Sequence, residues 1–257
     1  LIIVCILAVL ILIKLLIKKV PISSKMSYLI AIGTSVCGAT AIVATAPVIN
    51  AKKTEIAYAI ANITLFGVIA MIVYPYFAEW FFNENELKAG LFLGTAIHET
   101  SQVAAAGLIY DQQFNSPETL NVATVTKLIR NTFLVIMIPL FAFLYNRGEM
   151  KGNSYSLLDI FPYFVLGFIG MIIIRNLGDQ IFSIESENHI YWINFIEIIK
   201  ILATTFLTMA MAAVGISINL SELRLMGYKP FVVGLIAAVT VGFISLIYIQ
   251  TVSKFFT

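Results

Sequence analysis

Five consecutive residues carry the side chains of this chain that are best suited to chemistry: His98, Glu99, Thr100, Ser101 and Gln102. They combine an imidazole, a carboxylate, two hydroxyls and an amide, a set that can exchange protons or hold a small ion. They lie within an apolar run, 89–110, that is about as long as a membrane span. Ionisable groups at bilayer depth are costly and usually face a bundle interior or an aqueous path, so this stretch predicts a functional site.

The composition of the whole chain is typical of a membrane protein. Of 257 residues, 60% are hydrophobic and 12% are charged, and the mean hydropathy is +0.95. A soluble domain carries about twice that share of charge. The net charge of +2 and the lack of a basic block argue against nucleic acid as a partner. The two cysteines, Cys5 and Cys37, both lie in apolar runs, which argues against a disulfide framework.

Eight apolar segments are long enough, or nearly so, to cross a bilayer, and none alternates as a barrel strand would. Because only helices or closed barrels satisfy the backbone in hydrocarbon, the sequence predicts an all-α polytopic transmembrane helical bundle of about eight spans. We treat residues 1–257 as a single transmembrane transport domain. Since the chain opens within an apolar run, we expect the natural protein to be longer at its N-terminus. The segments are 1–16, 26–51, 56–78, 89–110, 124–145, 161–174, 192–216 and 231–252.

The segments 26–51 and 89–110 resemble each other at an offset of 61 residues. Gly33–Ala44 lies over Gly94–Ala105, and both put small and hydroxyl residues where leucine and isoleucine are expected. Glycines weaken a helix, so both segments are predicted to be interrupted and to cross, as in secondary transporters with inverted repeats. An interrupted helix also directs free N–H groups towards an anion. Close packing of helices on small residues is the alternative explanation.

A small anion is the predicted ligand of these interrupted helices, with His98 and Glu99 as candidates for proton or ion coupling. A metal is not expected, because a zinc motif would need a second histidine at position 102, and His189 falls in a predicted loop. No cofactor is expected either. The predicted substrate-binding residues are Ser35, Cys37, Thr40, His98, Thr100, Ser101, Gln102, Arg130 and Lys200.

Two cationic positions in this set have competing explanations. Lys127, Arg130 and Asn131 share one helical face, where they would attract an anion or hold a lipid headgroup, or else snorkel at the membrane interface. Lys200 lies three residues after Glu197, so it would offset the charge of an anion, compensate Glu99, or form a pair near the headgroups.

The two glycine-containing motifs resemble those of the YeiH-type family of bacterial membrane proteins, which carry the label of sulfate exporters. The resemblance covers nearly the whole chain. It implies a multi-pass protein of the bacterial cytoplasmic (inner) membrane, broadly related to bile-acid symporters and cation/proton antiporters, with inverted repeats and crossed, interrupted helices. The matching stretches are Gly33-Thr-Ser-Val-Cys-Gly-Ala-Thr-Ala-Ile, Ala46-Pro47, Ala57-Tyr-Ala-Ile-Ala, Gly94-Thr-Ala-Ile-His-Glu-Thr-Ser-Gln-Val, Lys127-Leu-Ile-Arg130 and Leu207-Thr-Met-Ala-Met-Ala-Ala-Val-Gly215.

Three functions are therefore considered. The first is a secondary transporter of a small inorganic or organic anion, sulfate or sulfonate-like by the family label, with proton coupling as an option. The second is a cation/proton antiporter, suggested by the deep carboxylate of Glu99. The third is a membrane-embedded enzyme that uses Cys37 and His98, although we expect no enzyme activity. The expected partners are the anion and the lipid bilayer, with a homodimer as a further option.

Overall fold

The computed structural model describes residues 1–16, 19–83, 85–146, 164–182, 188–217 and 227–253. Within these ranges the regular structure is helical and no strand occurs, which confirms the all-α class. The helices are α1 (Ile2–Leu16), α2 (Ser24–Ser35), α3 (Ala39–Thr45), α4 (Lys53–Phe82), α5 (Glu86–Ala96), α6 (Thr100–Phe114), α7 (Thr119–Thr132), α8 (Leu134–Asn146), α9 (Phe164–Ile181), α10 (His189–Ser217) and α11 (Lys229–Ser253).

Three stretches of the described chain are long and apolar enough to cross a membrane. They are Lys53–Phe82, Thr119–Phe141 and Lys229–Val252, and the shorter helix α1 is apolar as well. The second stretch joins α7 to α8 through the single residue Phe133, which has helical dihedral angles. These stretches overlap the predicted segments 56–78, 124–145 and 231–252.

Two polar connections are shorter than the sequence suggested. Helix α6 runs on to Phe114 and α7 begins at Thr119, so the connection between the predicted segments 89–110 and 124–145 shrinks to residues 115–118. Helix α9 extends to Ile181, beyond the predicted end of its segment at residue 174. The predicted start of that segment, residue 161, lies outside the described residues.

The polar end of α9 is held by contacts of its Asp179 carboxylate. Arg175 Nε donates to Asp179 Oδ2 at 2.7 Å, and Trp192 Nε1 of α10 donates to Asp179 Oδ1 at 2.8 Å. The Trp192 hydrogen bond, followed by the Arg175 hydrogen bond, holds the pKa of Asp179 below its usual value. His189 begins α10 instead of lying in a loop, and its Nδ1 lies 2.7 Å from the carbonyl oxygen of Phe182.

The chain divides into two compact units. The first spans residues 1–160 and 219–257 and holds α1 to α8 and α11, and the second spans residues 161–218 and holds α9 and α10. Within the first unit, α7 packs against α5 and α6, while α11 packs against α1, α2, α4 and α5. An apolar core that includes Phe92, Leu93, Val103 and Tyr110 fixes the positions of α5 and α6.

Both predicted helix interruptions are present. The segment 26–51 contains α2 and α3, separated at residues 36–38, and the segment 89–110 lies on α5 and α6, separated at residues 97–99. The two breaks are equivalent at the offset of 61 residues that relates the two motifs. The first break needs glycine, because Gly38 has φ of +68° and ψ of −129°, a conformation that other residues rarely adopt. The second break is extended, with φ near −90° to −104° at Ile97 and Glu99.

Candidate functional site

The two cationic side chains of α7 are completely buried between the interrupted helices. Lys127 and Arg130 are both 0% exposed, and they share one face of α7 at a spacing of three residues. Snorkelling towards a membrane interface is therefore the wrong explanation for them, since a snorkelling group keeps its charge in water. Neither side chain forms an ion pair with a carboxylate of the described residues.

Lys127 binds backbone oxygens from both breaks. Its Nζ donates to the carbonyl oxygen of Val36 at 2.9 Å, to that of Ile97 at 3.1 Å, and to that of His98. An ammonium group has three N–H donors, so this set of acceptors uses all of them.

Arg130 binds the carbonyl ends of α2 and α5 in the same manner. Its Nε donates to Ser35 O at 3.0 Å and its Nη2 donates to Thr34 O. Its Nη1 donates to Thr95 O at 2.6 Å and to Ile97 O at 3.4 Å. One planar guanidinium thus joins two helices that are far apart in the sequence.

The acceptors of the two cations follow the internal repeat. At the offset of 61 residues, Val36 corresponds to Ile97, and Lys127 binds the carbonyl oxygens of both. Thr34 corresponds to Thr95, and Arg130 binds the carbonyl oxygens of both. The two motifs therefore present equivalent carbonyl groups to one pair of cations.

This arrangement has a clear electrostatic cause. The last carbonyl groups of a helix have no partner within the helix and carry a partial negative charge. Helices α2 and α5 both end inside the protein, where water cannot satisfy those groups. Lys127 and Arg130 supply the missing donors, and the carbonyl groups in return lower the cost of burying two positive charges.

Glu99 is the last residue of the second break and lies at the same meeting point. It is 6% exposed, and its Oε1 accepts a hydrogen bond of 2.9 Å from Thr64 Oγ1 of α4. Its methylene group explains why residue 38 is glycine, since a Cβ at Gly38 would lie 2.6 Å from Glu99 Cγ. The carboxylate thus sits against the start of α3, where free N–H groups favour negative charge.

The start of α6 has the properties of an anion-binding position. Glu99 is the residue before the helix, and its side chain makes no capping hydrogen bond to the first N–H groups. Thr100 Oγ1 accepts a hydrogen bond of 3.1 Å from Asn131 Nδ2. His98 is 1% exposed, and its Nδ1 has no hydrogen-bond partner among the described residues. A helix N-terminus with unpaired donors beside a buried cationic pair favours a negatively charged ligand.

The remaining predicted ligands divide into buried and exposed groups. Ser35 is buried at the end of α2, where its hydroxyl donates to Ile32 O at 3.3 Å, and Cys37 is buried in the first break. Gln102 is buried against α4, where its Nε2 donates to Thr64 O at 3.1 Å. Thr40 and Ser101 are exposed on α3 and α6. Lys200 is exposed on α10 in the second unit, and its role in binding stays a prediction.

Two contacts of the site had no signal in the sequence. Thr64 lies in an ordinary apolar span, yet its hydroxyl holds Glu99 and its carbonyl oxygen holds Gln102. Ser245 of α11 shares a hydrogen bond of 2.5 Å with the Thr95 hydroxyl at the end of α5. Both contacts join residues that are far apart in the chain, and a single hydroxyl in a span is common on helix-packing faces.

These features define an all-helical membrane protein with interrupted helices. It has apolar spans, and its two helix breaks meet at a buried cationic pair. Residues 1–234 match the family described as "Conserved hypothetical protein 698", so the chain belongs to this family. Its relatives are named UPF0324 membrane proteins, and the YeiH-type resemblance refers to the same family and is confirmed.

Three relatives illustrate the match. A UPF0324 membrane protein of Fusobacterium nucleatum is 37% identical over 234 residues, which cover 89% of this chain and 67% of the relative. One from Streptococcus agalactiae is 34% identical over 84% of this chain and 62% of the relative, and one from Clostridium tetani is 31% identical over 90% and 66%. The chain thus spans about two thirds of the length of these relatives. No solved structure shows a significant match to the chain.

Proposed function

We propose that this protein is a secondary transporter of a small anion, sulfate or sulfonate-like, in the cytoplasmic (inner) membrane of a bacterium. The observation that carries the proposal is the pair of fully buried cations, Lys127 and Arg130, at the meeting point of two helix breaks. Two cationic side chains that have no carboxylate partner among the described residues create a positive field in a region of low dielectric constant. Such a field favours an anion over any other solute.

In the proposed site, some residues attract the anion through their charge and others bind it directly. Because Lys127 has all its donors on carbonyl groups, it acts through its charge and not through a direct bond to the substrate. The direct donors are the first N–H groups of α6, together with His98 Nδ1 and the polar pair Thr100–Asn131. The exposed Ser101 gives the proposed route of entry.

The wider architecture in this proposal follows the repeat. Eight spans, two of them interrupted and crossing, would form inverted repeats around a midplane site, and one motif would move against the other during transport. The equivalent carbonyl groups bound by Lys127 and Arg130 support a symmetric relation between the motifs. Transport by such an arrangement of helices needs neither a cofactor nor catalysis.

The test is the uptake of labelled sulfate into liposomes that contain the purified protein. Uptake should saturate with sulfate concentration, and Asn131→Ala should weaken it because Thr100 loses its partner. The matched control is Asn121→Ala on the same helix, where the side chain is exposed and uptake should stay unchanged. Glu99→Gln should alter uptake as well. If sulfate and sulfonates are not taken up, or if Asn131→Ala and Asn121→Ala behave alike, the proposal is wrong.

A second candidate, a cation/proton antiporter, rests on Glu99. Its buried carboxylate has a hydroxyl partner and no ion pair among the described residues, so it is available to exchange a proton for a cation. Release of protons from the purified protein on addition of sodium would favour this function. The enzyme alternative requires a reactive Cys37, and because its thiol is buried we expect slow alkylation at neutral pH.

A further inference from the structure

The charges around the two breaks do not balance, and this imbalance affects which anion the site prefers. Among the described residues, Lys127 and Arg130 contribute two positive charges and Glu99 contributes one negative charge. The carbonyl ends of α2 and α5 offset part of the positive charge, and the N-termini of α3 and α6 offset a similar part of the negative charge. The site therefore carries about one positive charge when Glu99 is ionised and about two when Glu99 is neutral.

We propose that Glu99 couples each bound anion to one proton, and that this coupling favours divalent anions over monovalent ones. The inference rests on the proposed anion site at the start of α6. Glu99 is the residue immediately before that helix, so an ionised carboxylate and a bound anion repel each other at close range. Protonation of Glu99 removes the repulsion, and the gain is proportional to the charge of the anion.

The groups that face Glu99 set the background for this titration. Thr64 of α4 donates its hydroxyl to the carboxylate, and Gly38 at the start of α3 packs against its methylene group. Lys127 of α7 acts on it electrostatically, and Cys37 and His98 are the other titratable groups of the two breaks. The three carbonyl acceptors of Lys127 match the three N–H donors of an ammonium group, so Glu99 and His98 are the groups to separate by experiment.

The size of the effect follows from Coulomb's law. For an anion about 6 Å from the carboxylate and an effective dielectric constant of about 20, loss of one like charge strengthens monovalent binding about 100-fold. For a divalent anion the factor is about the square of that value. Because only one proton is taken up, the affinity for either anion can change by at most about tenfold per pH unit.

The experiment measures the binding of sulfate and of methanesulfonate to the purified protein from about pH 5 to about pH 8. Both anions keep their charge throughout, so any pH dependence belongs to the protein. Both should bind more tightly as the pH falls, and sulfate should gain more than methanesulfonate. When sulfate is added in weak buffer, the protein should also take up close to one proton per bound anion at the pH values where the affinity changes.

Two variants decide which group carries the proton. Glu99→Gln should bind both anions with no pH dependence, whereas His98→Gln should keep it. Thr64→Val retains the carboxylate but removes the hydroxyl that stabilises its charge, so the sulfate curve should move to higher pH. This variant keeps the test decisive if Glu99→Gln does not fold.

The outcomes separate this inference from the proposed function. If both anions bind but gain equally on acidification, or if Glu99→Gln keeps the pH dependence, the coupling role of Glu99 is wrong while the anion site stands. If neither anion binds at any pH, the proposed function fails and the inference fails with it.

Discussion

The substitution Arg130→Lys isolates the geometry of the cationic pair from its charge. Both side chains are cationic in their protonated forms, but an ammonium is more strongly hydrated than a guanidinium, so burial of the lysine charge costs somewhat more. The guanidinium holds Thr34 and Ser35 on α2 and Thr95 on α5 at the same time. A lysine ammonium has its donors on one nitrogen and reaches one of these helices, which leaves about two carbonyl groups of the other helix without their donor.

The magnitude follows from that count. An unsatisfied buried carbonyl group costs about 1 to 3 kcal/mol, so the loss of donors to about two of them in Arg130→Lys should destabilise the meeting point of the breaks by about 2 to 6 kcal/mol. At about 1.4 kcal/mol for each factor of ten, the population of molecules in which the breaks have opened should rise roughly 25- to 20,000-fold.

The two buried free cysteines provide the assay. Cys37 lies in the first break and Cys5 lies on α1, and both are buried. In a Cys5→Ala background, the rate at which a thiol reagent labels Cys37 reports the opening of the break. In a Cys37→Ala background, labelling of Cys5 reports the opening of α1. Arg130→Lys should accelerate labelling of Cys37 much more than labelling of Cys5.

A matched control comes from the second unit. Arg175 has a side chain that is 42% exposed, so Arg175→Lys should leave both labelling rates unchanged. The reasoning would be refuted if Arg130→Lys labelled Cys37 at the wild-type rate, because the carbonyl groups would then need no guanidinium. Equal acceleration of Cys5 and Cys37 would show that the cation holds the whole unit and not the breaks.

Three further outcomes follow from the same structure. Gly38→Ala should lower stability more than Gly227→Ala in thermal unfolding, because both have positive φ but only the first would bring a Cβ against a side chain. Thr95→Val should cost about 1 to 3 kcal/mol in the free energy of unfolding and Ser245→Ala less, because Thr95 keeps a second contact with a backbone carbonyl. Since the pKa of Asp179 is lowered in the folded state, its stabilising contribution is present above the usual aspartate pKa and is lost as the pH falls through the lowered value. Tryptophan fluorescence during acid titration should follow that loss, and Asp179→Asn should abolish it.

The sequence by itself determined the helical class, the membrane environment and the two segments in which a helix is interrupted. These properties depend on local composition. Long apolar runs have no other stable form in hydrocarbon, and mid-span glycine and polar residues disfavour an uninterrupted helix. The offset of 61 residues relates the two motifs in the sequence, and the structure places their breaks at 36–38 and 97–99. The motif at His98 and Glu99 was likewise visible as polar groups where apolar ones are expected.

Only the tertiary structure decided what the polar residues contact. Lys127 and Arg130 were equally consistent with an interfacial position, and their burial depends on how α7 packs against α5 and α6. The partner of Glu99 is Thr64, 35 residues earlier, and the partner of Thr95 is Ser245, 150 residues later. Such pairs arise because buried polar groups must find a donor or acceptor among whatever the packing brings near, and sequence spacing carries no record of that choice.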